Sequence, residues 1–243
     1  MRLDQELVRR GLCVSRQEAQ ECIEQSFVRV DNVVVTKKTR LVQEDTKIEV
    51  LQTRKFVSRG GDKLEGAILH IYPTAGKNIF NHKNALDVGS STGGFTDCLL
   101  SYGITTVTCV DVGTSQLHHS LRNTSQVILF ENTDIRDFKT QELFDVIVAD
   151  VSFISLEKII ESIFSFGKEG SEYFLLIKPQ FEVGFGNTKK GIVKDEELVD
   201  VILNKYKALL LERRLQDIKI FPCNLRGGDG NQEYFIYAKQ KKH

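Results

Sequence analysis

Four charged residues lie far apart in the chain and are difficult to explain as surface groups: Lys63, Asp150, Lys178 and Glu233. Lys178 ends an apolar segment and precedes a proline, which favours an extended backbone at the lysine. If Asp150 ends a neighbouring strand, its carboxylate flanks the lysine in one cleft. Lys63 in the same cleft would be a second cation, and one of the two ammonium groups would then lose its proton more easily. A neutral lysine could take the proton of a weakly acidic hydroxyl; a structural network of ion pairs is the alternative.

Residues 84–95, Asn-Ala-Leu-Asp-Val-Gly-Ser-Ser-Thr-Gly-Gly-Phe, have the pattern of a strand, a tight turn and a helix. Glycines let the backbone pass close to a ligand, and the first amide groups of the helix are free to bind it. The dinucleotide motif G-x-G-x-x-G is not met, because Ser91 takes the place of its second glycine. Asp87 would repel a diphosphate but would suit a cationic sulfonium and ammonium, as in S-adenosylmethionine. An ordinary strand–helix loop is the alternative.

Two later acids fit an adenosine ligand. Asp111 follows Gly89 by about twenty residues, the spacing at which a carboxylate accepts hydrogen bonds from ribose hydroxyls. Asp134 could accept a hydrogen bond from the adenine amino group, and a solvated loop carboxylate is the alternative for both acids. The predicted cofactor-binding residues are Asp87, Gly89, Ser90, Ser91, Thr92, Gly93, Gly94, Phe95, Asp111, Val112, Asp134, Ile135 and Asp150.

The elements that must position these residues alternate along the chain. Beyond the glycine turn, strands are predicted at 106–111, 126–131, 144–150, 173–178, 217–221 and 233–238, and helices at 116–122, 156–166 and 196–214. Near-continuous apolar strands separated by helices predict a doubly wound, mostly parallel α/β sheet, with ligands at the carboxyl ends of its strands. Seven strands that end in a β–β hairpin fit the methyltransferase variant of this Rossmann-like fold better than a dehydrogenase.

The first fifty residues predict a separate small α+β unit. Helical spacing covers residues 3–11, and Ser15 with Glu18 has the pattern of a capping box that opens a second helix. Strands follow at 28–30, 33–35 and 47–50, the first two joined by a turn at 31–32. Residues 1–60 hold twelve Lys and Arg against nine Asp and Glu. We expect Arg2, Arg16, Lys37 and Lys38 to lie on one face and bind an anionic partner, and a merely solvated surface is the alternative.

A linker is predicted between the two units. It covers residues 53–59, and the glycine pair 60–61 is interpreted as the break before a helix that begins near Asp62. Lys63 would then lie in the first helical turn, where its charge opposes the helix dipole. The predicted domains are therefore residues 1–52 and 60–243.

Composition restricts the function further. The 243 residues have no net formal charge, and 41% are hydrophobic, which is typical of globular proteins. Five widely spaced cysteines predict free buried thiols in a reducing compartment, and no Cys or His pair predicts a metal site. No run approaches the roughly 18 apolar residues of a membrane span. We therefore expect a cytoplasmic protein that does not span a membrane.

The N-terminal unit resembles the small RNA-binding domain first described in a ribosomal small-subunit protein. The matching residues are Arg2-Leu3-Asp4, Gly11, Ser15-Arg16 with Ala19, and residues 28–33. This resemblance implies that the unit binds RNA.

Nearly the whole chain is similar to the TlyA family, historically called haemolysin A. The motifs that carry the resemblance lie at residues 57–64, 86–97, 111–113, 116–118, 150–155, 178–182 and 230–233. The family comprises ribosomal RNA 2′-O-ribose methyltransferases that use S-adenosylmethionine. In the related FtsJ-like enzymes a Lys-Asp-Lys-Glu tetrad carries catalysis, and its members fall on Lys63, Asp150, Lys178 and Glu233. The resemblance implies that Lys178 is the base or polarising group, oriented by the other three, and that the partner is rRNA within a ribosomal subunit.

Two details of the family pattern bear on this chain. The linker motif Arg-x-Trp-Val is Arg54-Lys55-Phe56-Val57 here, and phenylalanine lacks the indole N–H donor. Longer family members modify a cytidine ribose in each subunit, whereas shorter ones modify only the large-subunit site. The RNA-binding pattern starts at Arg2 and the chain ends at His243, so the large-subunit activity of the shorter form is expected.

Three other functions remain alternatives. They are an inactive methyltransferase fold that binds RNA in ribosome assembly, a membrane-lytic haemolysin, and methylation of a small molecule or protein. The intact tetrad disfavours the first. The second lacks a spanning segment or a secretion signal, and the third would not need an RNA-binding unit.

Overall fold

The computed structural model describes residues 1–13, 15–24, 26–51, 55–74, 76–184 and 186–241. The chain divides into two compact units, Met1–Lys55 and Phe56–His243. Residues 53 and 54 of the predicted linker, and with them the arginine of the linker motif, lie outside the described residues. So does His243. The predicted domain boundaries therefore stay a prediction.

The first unit packs two helices on a small antiparallel sheet. Its elements are α1 Leu3–Arg9, α2 Arg16–Glu24, β1 Val28–Val30, β2 Val33–Val34 and β3 Ile48–Val50, with sheet order β2-β1-β3. The Ser15 hydroxyl accepts a hydrogen bond from the Glu18 amide at 3.1 Å, as the capping pattern predicted. Asp31 and Asn32 both adopt positive φ in the turn between β1 and β2, which confirms the predicted hairpin.

The second unit is built on one seven-stranded sheet. The strands are β4 Asn84–Val88, β5 Thr106–Val110, β6 Val127–Phe130, β7 Phe144–Ala149, β8 Gly167–Ile177, β9 Gln216–Pro222 and β10 Tyr234–Lys239. Their order is β6-β5-β4-β7-β8-β10-β9, and the first five strands are parallel. Strand β10 runs antiparallel to both β8 and β9. The predicted doubly wound sheet with a closing hairpin is confirmed.

Helices cover both faces of this sheet. They are α3 Arg59–Ile71, α4 Gly94–Ser101, α5 His119–Arg122, α6 Ile160–Ser165, α7 Pro179–Glu182 and α8 Glu196–Glu212, with a 3₁₀ turn at Leu156–Lys158. Alternate residues of β7 enter two different cores: Val146 and Val148 pack with α3 and α4, whereas Ile147 and Ala149 pack with α6 and α8. The strand is thus buried on both sides from Val146 to Ala149, which explains the apolar run of these four residues. Among the described residues, no helix is long and apolar enough to cross a bilayer.

Several predicted boundaries were wrong. Helix α3 begins at Arg59 and includes the glycine pair, so the pair does not interrupt the helix. Lys63 therefore lies beyond the first helical turn, and its charge does not oppose the helix dipole there. A Cβ atom at Gly61 would overlap the ring of Phe56, so this glycine serves close packing inside the helix. The predicted helix at 116–122 is only His119–Arg122. Strand β8 begins at Gly167, and Lys178 lies just after it, before a short helix α7 that was not predicted.

Candidate active site

The four predicted tetrad residues meet at one edge of the large sheet. Asp150 follows β7 and Lys178 follows its parallel neighbour β8. Glu233 precedes β10, which is antiparallel to β8, so its start lies beside the end of β8, where Tyr234 pairs with Ile177. Lys63 reaches the same edge from α3. The four side chains form two ion pairs, with Lys178 Nζ 2.6 Å from Asp150 Oδ1 and Lys63 Nζ 2.5 Å from Glu233 Oε2.

The two pairs differ in their surroundings. Lys63 and Glu233 are both buried, and burial raises the pKa of the Glu233 carboxyl although Lys63 and Lys178 act to lower it. Lys178 belongs to the more open pair, and its ammonium also donates a hydrogen bond to Ser152 Oγ at 2.8 Å. Asp150 thus flanks Lys178 as expected, and the second cation, Lys63, has a carboxylate partner of its own in Glu233.

A cavity of about 320 Å³ opens at the carboxyl ends of β4, β5 and β7. Seven of the predicted cofactor residues line it: Gly89, Ser91, Asp111, Val112, Asp134, Ile135 and Asp150. Further lining comes from residues that were not predicted to bind the cofactor, among them Gln116, Thr133 and Phe153. Asp150 both lines the cavity and pairs with Lys178, so the cavity and the tetrad are adjacent.

Asp111 fixes the glycine turn in place. Its Oδ2 accepts a hydrogen bond from the Ser91 amide at 2.7 Å, and its Oδ1 accepts one from the Gly113 amide at 2.6 Å. Gly89 has φ of +79°, and a Cβ there would lie 2.8 Å from the Asp150 carbonyl oxygen. The turn after β4 is thus joined to the ends of both β5 and β7.

Asp134 has a partner that was not predicted. Arg136 donates to both of its carboxylate oxygens, at 2.9 and 2.6 Å, and these hydrogen bonds hold the pKa of the Asp134 carboxyl below its usual value. The carboxylate is therefore already engaged, whereas the neighbouring Ile135 contributes an apolar wall to the cavity.

The remaining predicted cofactor residues lie outside the cavity lining: Asp87, Ser90, Thr92, Gly93, Gly94 and Phe95. Phe95 is buried and stacks on Phe235 with 6.1 Å between ring centroids. A Cβ at Gly94 would lie 2.7 Å from the Gly61 amide nitrogen, so this glycine allows α3 and α4 to pack closely. Asp87 is completely buried, and its Oδ2 accepts a hydrogen bond from Thr96 at 2.6 Å.

The Asp87 carboxyl should make the stability of the unliganded protein depend on pH. Burial raises its pKa to about 7, with Asp150 and Asp111 adding to the effect and Thr96 opposing it. Because the pKa is higher in the folded state than in the unfolded chain, the fold favours the protonated acid. Its contribution is complete below about pH 4 and is lost as the pH rises through 7, by up to about 4 kcal/mol.

Denaturant unfolding of the wild type and of Asp87→Asn, across this pH interval, measures the effect. Asparagine keeps the shape and a hydrogen-bond acceptor for Thr96 but does not titrate. We expect the stability difference between the two proteins to grow in favour of the variant as the pH rises. A difference that stays constant with pH would contradict the assignment.

Glu182 is a supporting residue whose role was missed. Its carboxylate accepts hydrogen bonds from Ser155 Oγ at 2.6 Å, the Leu156 amide at 2.9 Å and the Tyr206 hydroxyl at 2.8 Å. It therefore joins the loop that follows Asp150 to the helix that follows Lys178. A carboxylate four residues after Lys178, in the same short motif, was the available signal.

In the first unit, most of the predicted RNA-binding residues have carboxylate partners. Arg2 and Arg16 both pair with the buried Asp4, at 3.0 and 2.9 Å. Burial raises the pKa of the Asp4 carboxyl, but hydrogen bonds from Arg16, Gln20 and Arg2 outweigh it and hold the pKa at about 2. Lys38 pairs with an exposed carboxylate of α2 at 3.0 Å. Lys37 forms no ion pair with any described residue and lines an open groove.

Comparison with known proteins agrees with this geometry. The family described as FtsJ-like methyltransferase matches residues 56–240, and the S4 domain family matches residues 1–48. The chain is 38% identical to "Hemolysin A" of Brachyspira hyodysenteriae, over 98% of this chain and 99% of that protein. It is 37% identical to "16S/23S rRNA (cytidine-2'-O)-methyltransferase TlyA" of Mycobacterium tuberculosis, over 98% of this chain and 89% of the relative.

A third relative is "23S rRNA (cytidine-2'-O)-methyltransferase TlyA" of Campylobacter jejuni subsp. jejuni, with 38% identity over 81% of this chain and 76% of the relative. The similarity thus extends through both units and includes the sheet edge that carries the two ion pairs. With a methyltransferase family matched over the whole second unit and an S4 domain over the first, the chain belongs to the TlyA, or hemolysin A, family of FtsJ-like methyltransferases.

Proposed function

We propose that this protein transfers a methyl group from S-adenosylmethionine to the ribose 2′-hydroxyl of a cytidine in ribosomal RNA. The observation that carries the proposal is the Lys178–Asp150 pair at the border of the cavity, since Asp150 faces both the cofactor space and the lysine. The two TlyA relatives are named for this reaction. Because the proposed substrate is ribosomal RNA, we place the protein in the cytoplasm.

The residues around the cavity suit this cofactor. Asp87 does not line the cavity, but its Oδ1 is buried close to the lining residue Gly89 and has no hydrogen-bond partner among the described residues. The acids Asp111 and Asp150 favour a cation, and Ile135 offers an apolar wall for an aromatic ring. When bound, S-adenosylmethionine supplies an electrophilic methyl group.

Lys178 is the residue that we assign to the substrate hydroxyl. Asp150 and Ser152 hold its amino group in one position at the cavity border. A group fixed in this way can orient the 2′-hydroxyl and, in its neutral form, take the proton as the oxygen attacks. Lys63 and Glu233 form the second, buried pair and hold the other side of the same edge.

Incubation of the purified protein with radiolabelled S-adenosylmethionine and separate ribosomal subunits tests the proposal. Transfer to ribosomal RNA separates it from the alternatives: an inactive assembly factor would bind subunits without transfer, and an enzyme acting on small molecules or proteins would leave the RNA unlabelled. Lysis of lipid vesicles without any transfer would favour the haemolysin alternative.

Primer extension at low nucleotide concentration then locates the methyl group. We expect a strong stop in large-subunit rRNA and none in small-subunit rRNA, because the large-subunit molecule is the substrate that both named TlyA relatives share. A strong stop in small-subunit rRNA would contradict the large-subunit preference while leaving the reaction type intact.

The first unit should supply phosphate contacts. We expect the double change Arg16→Ala and Lys37→Ala to weaken binding to ribosomal subunits and to flatten its dependence on salt by about 0.7 of slope per lost contact. Binding of S-adenosylmethionine should not change. Lys47→Ala serves as the control, because it removes a basic residue of the first unit that is not among the predicted RNA-binding residues. Equal salt slopes for the double variant and the wild type would mean that these basic residues are solvated at the surface and do not contact phosphate.

A further inference from the structure

The arginines of the second unit fall into two groups. Arg122, Arg136 and Arg213 form ion pairs with carboxylates. Among the described residues, Arg59, Arg214 and Arg226 form none. Arg214 lies just before β9, whose first residue pairs with Lys239 at the end of β10. Because Glu233 precedes the start of β10, Arg214 is at the end of the sheet opposite to the tetrad. The two remaining uncompensated guanidinium groups both belong to the tetrad edge.

Arg59 is held beside the tetrad by α3. It is the first residue of this helix, and Lys63 follows it by four residues, so the two side chains lie one turn apart on the same face. The Arg59 guanidinium donates a hydrogen bond through Nη2 to the main-chain carbonyl of Arg226 at 2.6 Å. Its other N–H donors are left for a ligand.

Arg226 lies in the turn that precedes Glu233, between β9 and β10. Its Nη1 donates to the Gly230 carbonyl at 3.1 Å, and the Gly227 amide donates to the Asn231 carbonyl at 2.9 Å. A Cβ at Gly227 would lie 2.7 Å from Glu233 Oε1, so this turn packs directly on the tetrad carboxylate. The Arg226 guanidinium is therefore carried by a hydrogen-bonded turn and not by a long loop without such bonds.

We propose that Arg59 and Arg226 bind the RNA phosphate group next to the ribose that is methylated. The inference rests on the proposed function. In RNA the 2′-oxygen and the 3′-phosphate are carried by adjacent ribose carbons, so a ribose presented to Lys178 brings a phosphodiester to the same edge of the sheet. Guanidinium groups match phosphate oxygens in a bidentate geometry. The tetrad carboxylates are already paired with lysines, and the two arginines therefore add net positive charge where the backbone must lie.

A competing role for Arg226 is local charge balance. It lines a groove together with Lys194 and the acids Asp195, Glu196 and Asp200, at longer range than an ion pair, and its own turn carries Asp229. An arginine that only offsets these acids would affect the stability of the protein, whereas an arginine that binds phosphate would affect RNA affinity and its dependence on salt.

The test compares Arg59→Gln, Arg226→Gln and the double variant with Arg214→Gln, which removes the same charge at the opposite end of the sheet. Initial rates against the concentration of large ribosomal subunits should give a KM raised by about tenfold for each single variant, with kcat within a few-fold of the wild type. Filter binding to the same subunits at several KCl concentrations should give a salt slope reduced by about 0.7 for each arginine removed. Cofactor affinity and melting temperature should match those of Arg214→Gln.

Two results would overturn the inference. One is a double variant whose KM and salt slope equal those of Arg214→Gln. The other is a loss of melting temperature with an unchanged salt slope, which would assign Arg226 to charge balance. Failure of the wild type to transfer methyl groups would instead refute the proposed function, and the filter-binding slopes would still decide whether the two arginines contact phosphate.

Discussion

Replacing Lys178 with alanine should reduce methyl transfer by roughly 10²- to 10⁴-fold, the range expected when a general base is removed. Affinity for S-adenosylmethionine should stay within a few-fold of the wild type, because the Lys178 amino group contacts Asp150 and Ser152 and is not part of the cavity lining. Single-turnover rates and isothermal titration of the cofactor measure the two quantities separately.

Two further variants make this experiment specific. Lys178→Arg keeps the positive charge but does not lose its proton at accessible pH, so it should also be inactive if a neutral lysine is needed. Asp111→Ala should show the opposite pattern, with weakened cofactor binding first, because Asp111 fixes the Ser91 and Gly113 amides of the cavity. Loss of cofactor binding in Lys178→Ala would refute the assignment of this lysine to the ribose.

The second large effect should come from the buried pair. Glu233→Ala would leave the Lys63 ammonium buried without a counter-charge, and we expect the free energy of unfolding to fall by about 3–5 kcal/mol, together with loss of methyl transfer. The double variant Lys63→Met with Glu233→Leu removes both charges and should recover most of the stability, since apolar residues of similar size often replace a buried ion pair without cost. Methyl transfer should stay absent.

Denaturant unfolding and the subunit assay, performed on the same preparations, separate the two roles of the pair. Lys205→Ala is a suitable control, because it breaks a half-exposed ion pair with Glu157 and should change stability by less than about 1 kcal/mol. A double variant that regained activity along with stability would show that Lys63 and Glu233 only support the fold.

The large sheet could be predicted because its strands are buried on both faces. Strands such as β7 are apolar over most of their length, and this pattern is visible without knowledge of their neighbours. The edge that gathers Asp111, Asp150 and Lys178 followed from the rule that parallel strands end on the same side. The hairpin of the first unit was predictable from local sequence, because its turn uses Asp31 and Asn32, which tolerate positive φ.

The features that could not be predicted depend on distant contacts. Gly61 was interpreted as a helix breaker, and only its contact with Phe56 explains a glycine inside α3. The partner of Lys63 is 170 residues away, so no local spacing could have paired it with Glu233. In the first unit the excess of basic residues did not reveal that Arg2 and Arg16 share the buried Asp4.

The pairing of Asp134 with Arg136 is a different case. Arg136 is only two positions after Asp134, so local sequence could have indicated that the carboxylate was engaged. A carboxylate with an arginine two positions away can be paired with it before any ligand binds.

Strand β10 is placed between β8 and β9 although it is synthesised after both. Among the described residues, strand β9 pairs with β10 alone, so it has no place in the sheet until β10 has been made. Lys63 leaves the ribosome 170 residues before Glu233, an interval of roughly 10–30 s at about 5–20 residues per second. Until then the edge of β8 is unpaired, which exposes a growing chain to aggregation. Translation of the last strand therefore both closes the sheet and completes the tetrad, so an unfinished chain should be unable to methylate the ribosome that is making it.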